Sequence, residues 1–299
     1  MIDTRALPLL LACIAIAVVA IHAIDSNRAS VVLGGLRNAG HIPLFGLVSL
    51  IVLRLMRGTR RPLLNTVIGC LLIAGVAELS QFVFGGEPDW RDGFSDLIGI
   101  ALFLSAARLA TTHPVGAAKR GLMLLLIALS LAPMSYWLLQ WGLKRAAAPC
   151  LTSSHWQWMS PLYRPDHASF SPSLRDPGQI VMTFDSQQYA GMTLTDPMTD
   201  WREFDYLALT VFAAAGSEGD LTLRVHDVRH SHEFSDRFNE TLTLSTRPTT
   251  HRISLNDIRD APANRRIDLA QIRELKVFRT SPRAGDQVIV GPICLHRGT

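Results

Sequence analysis

The chain has 299 residues, 48% of them hydrophobic, with 29 Lys+Arg against 25 Asp+Glu, a length that allows two domains. Residues 1–145 carry 13 Lys+Arg against 7 Asp+Glu and residues 146–299 carry 16 against 18, so the positive excess sits in the first half, in short loops between apolar runs. The second half is near neutral and has no basic stripe, which excludes a nucleic-acid partner. No P-loop, dinucleotide fingerprint or nucleophile elbow occurs in the chain.

Five apolar runs, at about 6–24, 40–56, 63–84, 92–110 and 121–143, predict an α-helical bundle of five transmembrane helices over residues 1–145. The first run follows a single basic residue, Arg5, and no Ala-x-Ala site comes after it, so it reads as an uncleaved span and not as a signal peptide. The third run is long enough at 1.5 Å per residue to cross a hydrocarbon core of about 30 Å. Pro133 is a kink point in the fifth, and Tyr136, Trp137 and Trp141 lie toward its end as an interfacial aromatic belt does. Arg54, Arg57, Arg60 and Arg61 follow the second run; Arg108, Lys119 and Arg120 separate the fourth from the fifth. The positive-inside rule makes both loops cytoplasmic. The N-terminus is then cytoplasmic, and everything after the fifth span lies outside.

Residues 146–178, rich in Ser, Pro and aromatics, read as a lead-in segment. From 179 to 299 the period changes to two. Leu207, Leu209 and Val211 alternate with small and polar residues, as do Leu221, Leu223 and Val225, then Leu242 and Leu244, then Ile253 and Leu255. Val288–Leu295 is a further strand, broken at Gly291-Pro292. Regular short strands between polar turns predict an all-β jelly-roll sandwich. A short helix is expected at Asp268–Leu275, with Asp268 as its N-cap.

One stretch of the first half carries charge into otherwise apolar surroundings. Glu78 and Gln81 lie three apart near the end of the third run; Asp92 and Asp96 lie four apart at the start of the fourth, with Gly99 on the same face. An intramembrane carboxylate faces the bundle interior and marks a functional site by default. These residues, with His41-Ile-Pro-Leu-Phe45 near the head of the second run, resemble the core motif of VanZ-like membrane proteins over roughly residues 1–145. Two positions depart from that pattern: Asn38 stands where the family often has Lys, and Gly86 where it often has Arg, with Arg91 beside Asp92 instead. The resemblance implies a multi-pass protein of the bacterial inner (cytoplasmic) membrane and cell envelope. His41, Glu78, Gln81, Asp92 and Asp96 are expected to converge in one cluster near the outer surface. Two readings of it stand: a binding or acid–base site with His41, Glu78 and Asp92 as catalytic candidates, or a polar network that pins the helices.

In the second half, His226-Asp227, His230 and Asp236-Arg237-Phe238-Asn239, with the strand order, resemble galactose-binding-like jelly rolls of the carbohydrate-binding-module kind. His226, Asp227, His230, Asp236, Arg237 and Asn239 are therefore candidates for a sugar site. On a strand His226 and Asp227 point to opposite faces, and a buried salt bridge explains the Asp and Arg equally well. Trp156, Trp158 and Trp201 can stack on a sugar or pack a core. No cofactor is expected, and the spacing of the His41, Glu78, Gln81, Asp92 and Asp96 cluster is that of no standard zinc site.

Of four cysteines, Cys13 and Cys70 lie inside spans. Cys150 and Cys294 fall outside the membrane, where disulfides persist. The first and last segments of a jelly roll commonly lie side by side, so a Cys150–Cys294 bridge is expected. The expected function is that of an envelope protein in the lipid bilayer whose periplasmic jelly roll binds a glycan or partner next to the intramembrane cluster. The alternative is a membrane enzyme acting on a lipid-linked saccharide.

Overall fold

The computed structural model describes residues 31–83, 90–111, 116–152, 157, 162–174, 176 and 178–298, with side chains throughout except at 80–83. The chain divides into two units, Met1–Leu139 and Gln140–Thr299. Among the described residues there are five α-helices. Four are long and apolar enough to cross a membrane: α1 (Val31–Met56), α2 (Pro62–Val83), α3 (Trp90–Thr111) and α4 (Ala117–Ala147). The expected first span at 6–24 lies outside the described residues. Helix α1 begins nine residues earlier than its apolar run, so His41 sits well inside it and not at its head. Pro43 and Pro133 are both accommodated inside continuous helices.

Helices α1 and α3 pack so closely that their backbones nearly touch. A Cβ built on Gly99 would lie 2.1 Å from the Ile42 carbonyl oxygen, and one on Gly46 would lie 2.2 Å from the Phe103 ring. Small residues at such crossings are what allow helices to approach in an apolar medium. Below this contact Phe45, Val48, Val52, Cys70, Ala74, Ile100 and Leu104 form the apolar core. Much of the remaining helical surface consists of exposed leucines, among them Leu72, Leu79, Leu124 and Leu139.

The second unit is a sandwich of two five-stranded antiparallel sheets, ordered β1-β4-β9-β6-β7 and β2-β3-β10-β5-β8. The strands are β1 (Tyr163–Asp166), β2 (Ala168–Pro172), β3 (Ile180–Phe184), β4 (Tyr189–Leu194), β5 (Tyr206–Ala213), β6 (Gly219–Asp227), β7 (Phe238–Leu244), β8 (Thr249–Ser254), β9 (Ile272–Thr280) and β10 (Gln287–His296). The alternation in β5 and β6 turns Leu207, Leu209, Val211, Leu221, Leu223 and Val225 into a core that also encloses Trp201. In β10 the pairing with β5 shifts between Val290 and Ile293, at Gly291-Pro292, where proline has no N–H to give the ladder.

Three local expectations change. Strands β1 and β2 fall inside the stretch read as a lead-in and form the edges of the two sheets. The short helix is α5 (Leu255–Asp260), capped by Ser254, whose Oγ accepts from the Asn256 N–H at 3.2 Å. No helix forms at 268–275: Asp268 turns the chain instead, its carboxylate accepting from the Ala270 N–H at 3.0 Å, and β9 begins at Ile272. Past its break, β10 gains a neighbour from the segment after α4. The Leu151 N–H donates to the Ile293 carbonyl at 2.7 Å, the Leu295 N–H donates to the Pro149 carbonyl at 3.1 Å, and a disulfide joins Cys150 to Cys294.

Candidate functional site

Each unit presents a polar cluster. In the helical unit, α1 supplies His41 and α3 supplies Asp92 and Asp96 from successive turns of one face. His41 Nδ1 lies 2.9 Å from Asp96 Oδ1, and Nε2 lies 3.8 Å from Asp92 Oδ2. The three residues are 2%, 1% and 2% exposed, so an imidazole is enclosed between two carboxylates away from solvent. Phe45, one turn on, stacks parallel to the imidazole with ring centroids 6.2 Å apart. Glu78, half-buried near the end of α2, lies within electrostatic reach of His41. The Gln81 side chain lies outside the described residues. The close approach at Gly99, three residues beyond Asp96, brings His41 against α3. Among the described residues no group of three or more His, Cys, Asp and Glu side chains is arranged to hold a metal ion.

In the sandwich, the residues singled out by sequence divide between two jobs. Asp227 points inward from the end of β6 and is 1% exposed. Arg265 forks onto it, with Nη1 2.6 Å from Oδ2 and Nη2 2.9 Å from Oδ1, and its Nε donates to Asp236. The Asp268 N–H adds a bond of 2.7 Å to Asp227. Burial disfavours the Asp227 charge, yet the Arg265 and backbone donors hold its carboxyl below the usual range. Arg265, and then the Ser231 N–H, do the same for Asp236. His230 Nδ1 contacts the Asp236 carbonyl at 3.0 Å, completing a network that fixes the β6–β7 connection. The cation of this network is Arg265 and not Arg237. It lies 38 residues from Asp227, and no spacing in the sequence points to it.

His226, Arg237 and Asn239 instead face outward from the same sheet. In the β6–β7 register Arg224 pairs with Asn239 and Val225 with Phe238, which sets His226 opposite Arg237. Arg224 Nε donates to Asn239 Oδ1 at 3.2 Å, and its guanidinium lies 4.7 Å from the Phe278 ring centroid on β9. Tyr189, half exposed at the start of β4, meets the same ring edge-on at 5.9 Å. Lys276 reaches over Phe278 and pairs with Asp166 at 2.8 Å. His226 Nδ1 and Arg237 Nε are buried and have no hydrogen-bond partner among the described residues. Burial, with His230 and Arg224 nearby, pushes the His226 imidazole down to about 4. Trp201 packs the core with its indole N–H on the Met198 carbonyl; Trp156 and Trp158 lie outside the described residues. Arg224, Tyr189, Lys276 and Phe278 are not among the site residues expected from sequence, although Arg224 and His226, two apart on β6, share a face by strand periodicity.

The sequence matches no protein-family model and no curated protein. Solved structures similar to the chain include the family 11 carbohydrate-binding module of Clostridium thermocellum in complex with a β-1,3-1,4-mixed-linked tetrasaccharide (TM-score 0.35, 13% identity, covering 46% of this chain and 84% of that one). A family 29 carbohydrate-binding module is similar at TM-score 0.32 and 12% identity, over 46% of this chain and 80% of its own. An exo-β-agarase is similar at TM-score 0.37 and 13% identity, over 46% of this chain and 23% of its own.

Proposed function

We propose that the protein is a VanZ-like component of the bacterial cell envelope, spanning the inner membrane five times with its N-terminus cytoplasmic, and that its β-sandwich lies in the periplasm and holds a glycan. The observation that carries the glycan reading is the outward face of β4, β6, β7 and β9. It combines the exposed Tyr189 ring, backed by the buried Phe278, with the donors of Arg224 and Arg237. A sugar offers C–H faces to an aromatic ring and hydroxyls to guanidinium donors, which this face supplies side by side. The Cys150–Cys294 disulfide supports an oxidising compartment, and the four long apolar helices support the membrane reading. The family assignment rests on the motif residues His41, Glu78, Asp92, Asp96 and Gly99. The test is a glycan array probed with the full chain in detergent micelles. Wild type binds a subset of glycans, and Tyr189→Ala and Arg224→Ala each lose at least tenfold in affinity with an unchanged melting profile. An array on which wild type binds nothing refutes the reading.

The imidazole held between two carboxylates favours a second reading, a membrane enzyme acting on a lipid-linked saccharide with His41 as proton carrier. Asp96 would orient the ring through Nδ1 and leave Nε2 to exchange a proton. Turnover of a lipid-linked saccharide in reconstituted vesicles, abolished by His41→Asn while the protein still accumulates, supports this reading. Unchanged turnover in that variant refutes it.

A further inference from the structure

We infer that the glycan held by the sandwich is acidic, with its carboxylate or phosphate seated between the side chains of Arg224, Arg237 and His226. This inference rests on the glycan reading and deepens it. The charge pattern of the sheet face carries it. On this face Lys276 already has Asp166 as its partner, and Asp166 also accepts from Thr193 Oγ1 at 2.7 Å. Around the β6–β7 connection Asp227 and Asp236 are both occupied by Arg265. Arg224 and Arg237 remain. Among the described residues neither forms an ion pair: Arg224 bonds to the neutral Asn239 and lies over Phe278, and Arg237 lies over Phe234 at 5.3 Å. Glu274, opposite His226 in the β6–β9 register, acts on Arg224 only at longer range.

Two partly buried guanidiniums without an ion-pair partner, set on neighbouring strands with Arg237 two residues before the Asn239 that pairs with Arg224, are costly to keep together. Burial, and then the nearby Arg237 charge, pull Arg224 below its ordinary range, and burial does the same for Arg237. An anion on their outer guanidinium nitrogens removes this cost. A planar guanidinium matches a carboxylate or phosphate with two parallel hydrogen bonds, which a neutral hydroxyl cannot equal. His226, neutral and with Nδ1 unpartnered, completes the lining opposite Arg237. Tyr189, exposed and braced edge-on by the buried Phe278, leaves an aromatic flank for the sugar ring that bears the charge.

The experiment is calorimetric titration of the full chain in detergent micelles with a panel of uronate oligosaccharides and sugar phosphates. Each is paired with its neutral methyl-esterified or dephosphorylated counterpart, and inorganic phosphate is run alongside. The expected result is that at least one acidic member binds tenfold or more tightly than its neutral counterpart, that added salt erodes the difference, and that Arg237→Gln brings the pair to equal affinity. Which acid wins distinguishes a carboxylate from a phosphate. Neutral members binding as tightly as their acidic counterparts overturn the inference while leaving the glycan reading intact. Binding of inorganic phosphate as tight as that of every sugar, or binding by no member at all, overturns both. The acid-to-neutral comparison in wild type stands without the variant if Arg237→Gln does not fold.

Discussion

His226 is the residue whose environment makes the plainest prediction. Its imidazole is pushed down to about 4 by burial and by the nearby His230 and Arg224, whereas in the unfolded chain a histidine titrates near 6.5. Between these values the unfolded chain takes up a proton and the folded one does not, so the sandwich loses stability as pH falls from about 6.5 to about 4. Glu240, raised by burial, works the other way over part of the same range. The Asp227 and Asp236 contributions from Arg265 persist there and vanish only below the ordinary carboxylate range. Allowing for solvent screening of the partly exposed ring, the His226 loss is about 1–2 kcal/mol. Urea unfolding of wild type and His226→Gln at pH 7 and pH 4.5 measures it, and the variant shows the smaller difference. The two clusters differed in how much of them could be read from sequence, for a physical reason. Asp92 and Asp96 lie one helical turn apart and share a face by periodicity alone. The Asp227–Arg265 pair is closed by tertiary folding across two loops, and local spacing carries no trace of such a contact.

Helices α1 and α3 meet at the two glycines, and this contact sets the depth at which His41 faces Asp92 and Asp96. Any Cβ at position 99 collides with backbone, which has no rotamer to yield. Gly99→Leu therefore forces the helices apart and stretches the 2.9 Å contact between His41 and Asp96. A drop in melting temperature of the detergent-solubilised protein of several degrees is expected, with Gly75→Leu, where a Cβ meets open space on α2, as the tolerated control. The long apolar helices announce themselves through length and composition, strands β5, β6 and β7 through alternation, and β10 as an apolar run. Strands β1 and β2 do not, because Tyr-Arg-Pro-Asp and Ala-Ser-Phe-Ser-Pro carry proline and too few apolar residues for a period to show. As edge strands they need pair on one side only, which is why the sheets accept them. The Asp268 turn misled for a related reason: an aspartate that accepts from an N–H two residues on serves a turn as well as a helix start.

In the second unit, the disulfide between Cys150 and Cys294 bridges residues 144 apart and joins the chain just after α4 to the last strand. A loop of that size makes the bridge a large stabiliser in the chain-entropy account, and removing it costs about 2–5 kcal/mol. Chemical unfolding of the sandwich with and without reductant, followed by tryptophan fluorescence, gives that difference directly; Cys294→Ser reproduces it and no longer responds to reductant. The pairing of Pro149–Leu151 with β10 belongs to the same closure, so the reduced protein frays first at that edge. The central claim is that the sandwich holds its ligand on the sheet face of β4, β6, β7 and β9, and hydrogen–deuterium exchange on the full chain in detergent tests it most directly. On addition of a bound acidic glycan, peptides covering 219–227, 237–244 and 272–280 are expected to gain protection, while those covering β5 and β8 on the opposite sheet stay unchanged. Protection confined to the opposite sheet, or spread evenly over both, would contradict it.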